Sequence, residues 1–271
     1  MPLLFFLELT VTGAVAGITA GFLGVGGGVV LTPLCLMIYP HLGVESDSLI
    51  QVIFGTNMVC VTAFSLAAAI QHTATKPIDW RTVALMVPLA VIGSWSGGWT
   101  ASLISSLYLK KLFGIFLAVS SIIIIVRNAQ YTSEGFLKRK ALFPMSMIPL
   151  LGFIAGFLGT LLGIGGGVVM VPALILLFVY PVERVAAVSS SVIIFIGLAG
   201  VCSYMWYGWN KVNLPVLSSG YVWWSSAIPL VLGGVPLARV GAWLNGRIHA
   251  KLLEKIFGVF LFLISIKILL T

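Results

Sequence analysis

The chain has 271 residues, 60% hydrophobic and 8% charged, with 15 basic and 7 acidic side chains and a net charge of +8. A soluble domain carries about 25% charged residues, so these few charges cannot clothe a water-facing surface. The basic residues lie between apolar runs, as in "RNAQYTSEGFLKRK" at Arg127–Lys140, a pattern of membrane orientation that leaves no nucleic-acid partner expected.

In chain order, residues 3–23 form a first apolar run that ends at the glycine cluster "GVGGGVV", Gly24–Val30. The first eleven residues hold no Lys or Arg, so the charged start of a signal peptide is missing and the run is read as mature structure. Residues 28–40 are short. As a helix rising 1.5 Å per residue they span about 20 Å, against about 30 Å of hydrocarbon. The glycine turn is therefore expected inside the membrane, where irregular backbone persists only against protein or a water-filled cavity. Further apolar runs follow at Leu49–Ile70, Thr82–Leu107, Leu112–Val126 and Leu252–Leu270. Several reach the ~20 residues of a spanning helix. A strand-built barrel needs segments of about ten residues alternating apolar and polar, and none is present. The expected fold is an all-α integral membrane protein.

The second half repeats the first. With an offset of 139, "GIGGGVV" at Gly163–Val169 falls on Gly24–Val30, Gly13 and Gly17 fall on Gly152 and Gly156, and Pro33 falls on Pro172. "KKLFGIFL" (Lys110–Leu117) likewise resembles "EKIFGVFL" (Glu254–Leu261). We read two repeats, 1–128 and 141–271, joined by a cytoplasmic linker at 129–140, forming one integral domain. Internal repeats of this kind mark secondary transporters. Four simple crossings per repeat would divide the basic residues eight to seven between the two sides, which orients nothing. If each glycine cluster breaks its run into a re-entrant pair, each repeat has five segments and the second is inverted. With both termini outside, eleven basic residues then face the cytoplasm and only Lys110, Lys111, Lys211 and Lys267 lie outside. That split agrees with the positive-inside rule.

Glycine inside a helix costs roughly 1 kcal/mol relative to alanine, so three in a row, used twice, ask for a reason. One reason is close helix packing, which suits scattered glycines such as Gly93, Gly97 and Gly98. Another is an anion site. A helix starting at Gly27 or Gly28 presents unpaired N–H groups and a positive dipole end, with no side chains to screen them. The candidate binding residues are Gly24, Gly26, Gly27 and Gly28, with Gly163, Gly165, Gly166 and Gly167 in the second copy. Polar patches early in the next run of each half, Thr56 and Asn57 of "GTN" and Ser189, Ser190 and Ser191 of "SSS", are expected to complete the anion's shell. Helix–helix hydrogen bonding is the competing use of those side chains. Apart from Glu8 the apolar runs are almost free of Asp and Glu, whereas cation carriers place carboxylates there. Pro33 and Pro172 each remove one helical N–H and either bend the short helix or mark a tight first turn. Cys35, Cys60 and Cys202 lie in apolar runs and are read as small buried hydrophobes. His72 follows such a run and is a candidate proton carrier, although interfacial solvation explains it equally. A dinucleotide fingerprint, with Glu45 and Glu183 about 20 residues downstream, lacks its βαβ unit.

The stretches "GFLGVGGGVVLTP" and "GFLGTLLGIGGGVVMVP", with "GTN", "PIDWR" (Pro77–Arg81) and the paired "LFGIFL" and "IFGVFL", resemble the signature of the sulfite exporter TauE/SafE family over essentially the whole chain. Asn57 stands where that family usually has serine, and the second copy reads SSS. The resemblance implies a multi-pass secondary transporter of the cytoplasmic (inner) membrane carrying sulfite or a small organosulfonate, with protons or the membrane potential as the coupling force. A passive anion channel and a non-transporting membrane partner are the alternatives. No P-loop, metal-ligand cluster or nucleophile–base pair stands out, so neither an enzyme nor a cofactor is expected. The sequence leaves the substrate, the direction of transport and the oligomeric state open.

Overall fold

The computed structural model describes residues 2–41, 48–73, 78–130, 142–245 and 250–270. The linker expected at 129–140 lies almost wholly outside the described residues. Five helices form the first half: α1 (Pro2–Leu23), α2 (Gly28–His41), α3 (Leu49–Thr73), α4 (Trp80–Leu103) and α5 (Ser106–Gln130). After a single 3₁₀ turn at Met145–Met147, five form the second: α6 (Ile148–Leu161), α7 (Gly167–Phe178), α8 (Val182–Gly208), α9 (Trp224–Leu244) and α10 (Ala250–Leu270). One small antiparallel hairpin, β1 (Ser218–Ser219) and β2 (Val222–Trp223), precedes α9.

Among the described residues, α1, α3, α4, α8 and α9 contain stretches long and apolar enough to cross a bilayer. The outward surface is apolar as well. Leu3, Leu7, Val11 and Val15 run along one exposed face of α1, and Leu85, Ile92, Trp95, Trp99 and Leu103 are exposed on α4. Water would not tolerate such faces at this density, whereas lipid tails do. The chain is a multi-pass, all-helical membrane protein.

The halves interlock rather than sit side by side. α1 packs on α9 and α4 on α6, so the first helix of each half meets the fourth of the other; α3 packs on α8, and α5 on α10. Small residues make the seams. Gly13, Gly17 and Gly21 recur every fourth residue along α1 and lie against the backbones of Leu230, Gly234 and Ala238. On the other seam Gly152 and Gly156 lie against Met86 and Ala90, and Gly93 and Gly97 against Phe153 and Phe157. Any Cβ at these positions would overlap main-chain atoms, so the helices approach to backbone contact. In lipid, where burial of apolar surface supplies little drive, such contact is what holds helices together. The packing role read for Gly93, Gly97 and Gly98 stands, Gly98 abutting the Ser203 side chain.

Two local features depart from the sequence reading. The run expected to continue from Thr82 to Leu107 stops at Leu103, because Ile104 is extended (φ −91°, ψ 136°) and α5 starts at Ser106. Gln51 of α3 holds that corner: its amide N–H donates to Ile104 O at 2.9 Å, and its Oε1 accepts from Ser106 Oγ at 2.7 Å. Cys35 and Cys60 are buried as expected, but Cys202 is exposed. Its position on α8 faces outward, where a weakly polar thiol is tolerated.

Candidate functional site

Both glycine clusters break the chain where expected. α2 begins at Gly28 and α7 at Gly167. Each loop takes three left-handed turns at equivalent places: φ is +66°, +85° and +77° at Gly24, Gly26 and Gly27, and +65°, +82° and +82° at Gly163, Gly165 and Gly166. An L side chain in this region is disfavoured by roughly 1–2 kcal/mol per residue, which explains the repeated glycines without any ligand. The first helical bonds pair Val30 and Leu31 N–H with Gly27 O, and Val169 and Met170 N–H with Gly166 O. Each helix therefore opens with one carbonyl serving a 3₁₀ and an α bond together. This is the tight first turn, and Pro33 and Pro172 follow it inside continuous helices. The amides ahead of those bonds, at Gly28, Val29, Gly167 and Val168, form the positive ends of the two short helices.

The loops meet each other. A Cβ on Gly28 would come within 2.6 Å of Gly163 O and Ile164 Cα, and one on Gly167 within 2.5 Å of Val25 Cα. Gly26 and Gly165 both face Val61 of α3 and Ile193 of α8, so these two side chains mark the crossing. Gly24 rests on Ala186 of α8, and Gly163 on Phe54 of α3. The two helix starts thus converge at a buried centre between α3 and α8. Gly27 and Gly166 point the other way. Their missing side chains would strike Ala16 O and Ala155 O of the preceding helices, not an open cavity.

Most of the expected polar donors have partners within the protein. Ser189 Oγ donates to Gly24 O at 2.7 Å, which ties α8 to the first glycine loop, and Ser191 Oγ bonds back to Ala187 O. Thr56 Oγ1 accepts the Trp223 N–H at 3.0 Å and anchors the hairpin to α3. Ser190 is buried. Asn57 differs. It is fully buried, its amide nitrogen lies 2.8 Å from Thr32 Oγ1, and its Oδ1 has no hydrogen-bond partner among the described residues. A buried amide end without a partner is costly, by about 1–3 kcal/mol. The Thr32 hydroxyl can accept from the amide nitrogen or donate to the amide oxygen. Either end of Asn57 can therefore be the free one, and with the amide turned over it presents two N–H donors.

Several residues around this centre escaped the sequence reading. Val61, Ile193 and Ser65, whose buried Oγ also has no partner among the described residues, carry no motif, and Thr32 lies within the first glycine-rich stretch but was not singled out there. Near one end of α3 the hairpin folds inward and buries Tyr221, Val222 and Trp223. Gly220 (φ +57°) and Tyr221 N–H, bonded to Tyr204 O at 3.2 Å, set its turn. Beyond the other end of α3, Asp79 caps α4. Its Oδ2 accepts the Thr82 hydroxyl at 2.7 Å and the Tyr180 hydroxyl at 2.8 Å, and its Oδ1 accepts Thr82 N–H at 3.3 Å. The Thr82 hydroxyl, then Tyr180 and the local amides, hold the Asp79 carboxyl below the usual carboxylate range. Burial, then donation to Asp79, pushes the Tyr180 hydroxyl up to about 12. Among the described residues no group of three His, Cys, Asp or Glu could hold a metal ion. His72 is buried near the end of α3.

Among the described residues, two interlocked sets of five helices, with paired broken helices meeting at a buried centre, make a polytopic membrane protein, and the transporter class comes from the family and relatives it matches. The chain matches the sulfite exporter TauE/SafE family over residues 9–268 and belongs to it. It is 27% identical to the probable membrane transporter protein YunE of Bacillus subtilis, across 97% of both chains. It is 29% identical to a probable membrane transporter protein of Methanocaldococcus jannaschii, over 95% of this chain and 94% of the other. A third, from Haemophilus influenzae, is 25% identical across 98% of each. These relatives are named as transporters rather than enzymes. No solved structure matches the chain.

Proposed function

We propose that the protein is a secondary transporter of a small sulfur-containing anion, sulfite or an organosulfonate, across the cytoplasmic membrane. The observation that carries this reading is the convergence of two helix N-termini, at Gly28 and Gly167, beside the buried and partly unsatisfied Asn57. Backbone N–H groups and a neutral amide suit an anion. Hydrogen bonds to a charged group are worth roughly 1.5–3 kcal/mol each, and several together offset the desolvation of one charge. The short length of α2 and α7 supports a re-entrant pair in each half and hence inverted repeats, and the eleven-to-four split of basic residues supports both termini outside. The exchange of first and fourth helices between the halves supports the same symmetry. Gly24, Gly26, Gly27 and Gly28, with their counterparts Gly163, Gly165, Gly166 and Gly167, form the site by shaping the loops. Asn57 and Ser190 are its side-chain donors, while Thr56, Ser189 and Ser191 hold the frame.

The test is binding to purified protein, followed by thermal shift. Sulfite, sulfate, thiosulfate, taurine, isethionate, sulfoacetate and simple carboxylates are compared, because a specific ligand raises the melting temperature by mass action. Asn57→Leu, which keeps the branched shape of the side chain but removes both hydrogen-bonding ends, should abolish the shift given by the best anion while the unliganded variant still folds. An undiminished shift in Asn57→Leu removes Asn57 from the site. A panel in which no sulfur oxyanion binds overturns the substrate class.

A further inference from the structure

Near each end of the interlocked bundle a tyrosine of one half bonds to the other half. Near the end of α2, the hydroxyls of Tyr39 and Ser226 share a hydrogen bond at 2.5 Å. The Tyr39 ring stands edge-on to Trp223, with centroids 5.1 Å apart at 82°, and Phe5 packs on the same indole at 5.6 Å. All of Tyr39 and Ser226 is buried. Just past the end of α7, Tyr180 donates to Asp79 Oδ2, which Thr82 also serves. The correspondence is positional. Ser226 and Thr82 are each the third residue of the fourth helix of their half, and Trp223 and Asp79 each immediately precede that helix. Each tyrosine belongs to the other half, at or just beyond the end of its short helix. The two bridges lie at opposite ends of α3. Trp223 is bonded to Thr56 in its first third, and Asp79 follows its last residue by six positions. The seventeen steps from Thr56 to Thr73 rise about 26 Å, most of the hydrocarbon thickness.

We infer that Tyr39 and Tyr180 are cross-half latches that shut opposite mouths of the path to the central glycine crossing, so that releasing one opens that side alone. This rests on the transporter reading above. With both bonds formed the centre is closed from both directions, which accounts for the full burial of Asn57, Val61, Cys35 and Cys60. A carrier needs two such closures that release separately. Each latch joins the halves through a hydrogen bond at its tip, so relative movement of the halves would break one while leaving the other.

The two buried thiols report on the mouths. Cys35 lies one turn before Tyr39 on α2, and Cys60 lies between Asn57 and Val61 on α3. A thiol reacts as its thiolate, which forms only when water reaches it. In a Cys202→Ser background, a small membrane-impermeant methanethiosulfonate is applied to intact cells and separately to inside-out vesicles. Tyr39→Phe keeps the ring but removes the hydroxyl's bonds to Ser226 and to the Cys35 thiol. Read at Cys60 in a Cys35→Ala background, where only the Ser226 bond is at stake, it should speed modification from one face by about two- to tenfold, the range set by a single net hydrogen bond. Tyr180→Phe should do the same from the opposite face only. Ser226→Ala, which removes the same bond from its other end, should reproduce Tyr39→Phe. Acceleration of both variants from the same face, equal acceleration from both faces, or no acceleration in any variant overturns the latches. The readout needs no transported anion, so it separates failure of the latches from failure of the anion assignment.

Discussion

Alanine at Gly166 should destabilise the protein more than alanine at the equivalent Gly27, although the two positions are matched in sequence. Both residues hold a left-handed backbone, φ +82° and +77°, so both substitutions carry the same penalty of roughly 1–2 kcal/mol. The space differs. At Gly166 the new methyl would overlap Ala155 O outright and stand 2.9 Å from its carbonyl carbon, both main-chain atoms of α6. At Gly27 the nearest atom is Ala16 O at 2.8 Å, followed by the Ala20 and Phe64 side chains at 3.0 and 3.2 Å. Overpacking of this kind adds about 1–3 kcal/mol, and the upper end applies at Gly166, where the overlap with main-chain atoms is deeper and involves two of them, against one marginal main-chain contact at Gly27. Gly166→Ala is therefore expected to lose about 3–5 kcal/mol and Gly27→Ala about 2–3 kcal/mol. Thermal unfolding of both purified variants in one detergent measures the order. Equal losses, or the larger loss at Gly27, would refute the argument that the α6 backbone is the obstacle. Loss of anion binding with native stability would restore the idea that these methyls face a ligand.

Leucine at Gly17, whose missing side chain lies against Gly234 of α9, should split the α1–α9 seam and lower folded yield, measured by size-exclusion profile; a normal profile argues against backbone contact there. Cysteine placed at residue 2 or 271 should react with an impermeant thiol reagent added outside, while cysteine within 134–140 should not, and the reverse pattern would sink the orientation with both termini outside. Asp79→Asn keeps the cap on α4 but removes the charge. Because the folded carboxyl titrates below its ordinary value, its contribution is complete above the unfolded pKa of about 3.9 and is lost as pH falls through the lower folded value. The stability difference between wild type and Asp79→Asn should stay constant from pH 5 to 8 and close only in acid; closure near neutrality would contradict the hydrogen bonds drawn to Asp79.

Local signals alone determined a good part of this protein. Run length and the scarcity of charge specify membrane helices, since hydrocarbon thickness sets the length and desolvation excludes charge. The starts of α2 at Gly28 and α7 at Gly167 were legible because a run of glycines cannot stay helical cheaply, and the offset of 139 made the two breaks visible as one design. Helix ends set by distant partners were not legible. The stop at Leu103 depends on Gln51, 53 positions away, holding Ile104 O. The hairpin at Ser218–Trp223 escaped the sequence reading too: Ser219–Gly220 is a turn signal and Tyr221–Trp223 favours strand, but each strand is only two residues long, and its register is held by Thr56 and Tyr204.

The polar centre divides in the same way. Residue type told that Thr56, Asn57, Ser189, Ser190 and Ser191 could hydrogen-bond near the glycines. Only tertiary structure decided which of them do so within the protein: Ser189 serves Gly24, Thr56 serves Trp223, and Asn57 keeps one buried end without a partner among the described residues. It also brought Tyr39 to Ser226 and Tyr180 to Asp79 across 187 and 101 residues. A hydroxyl has the same donor and acceptor capacity wherever it lies in the sequence. What it bonds to depends on which helices meet, and here that is set by glycine seams between halves, where a single Cβ would hold the backbones apart.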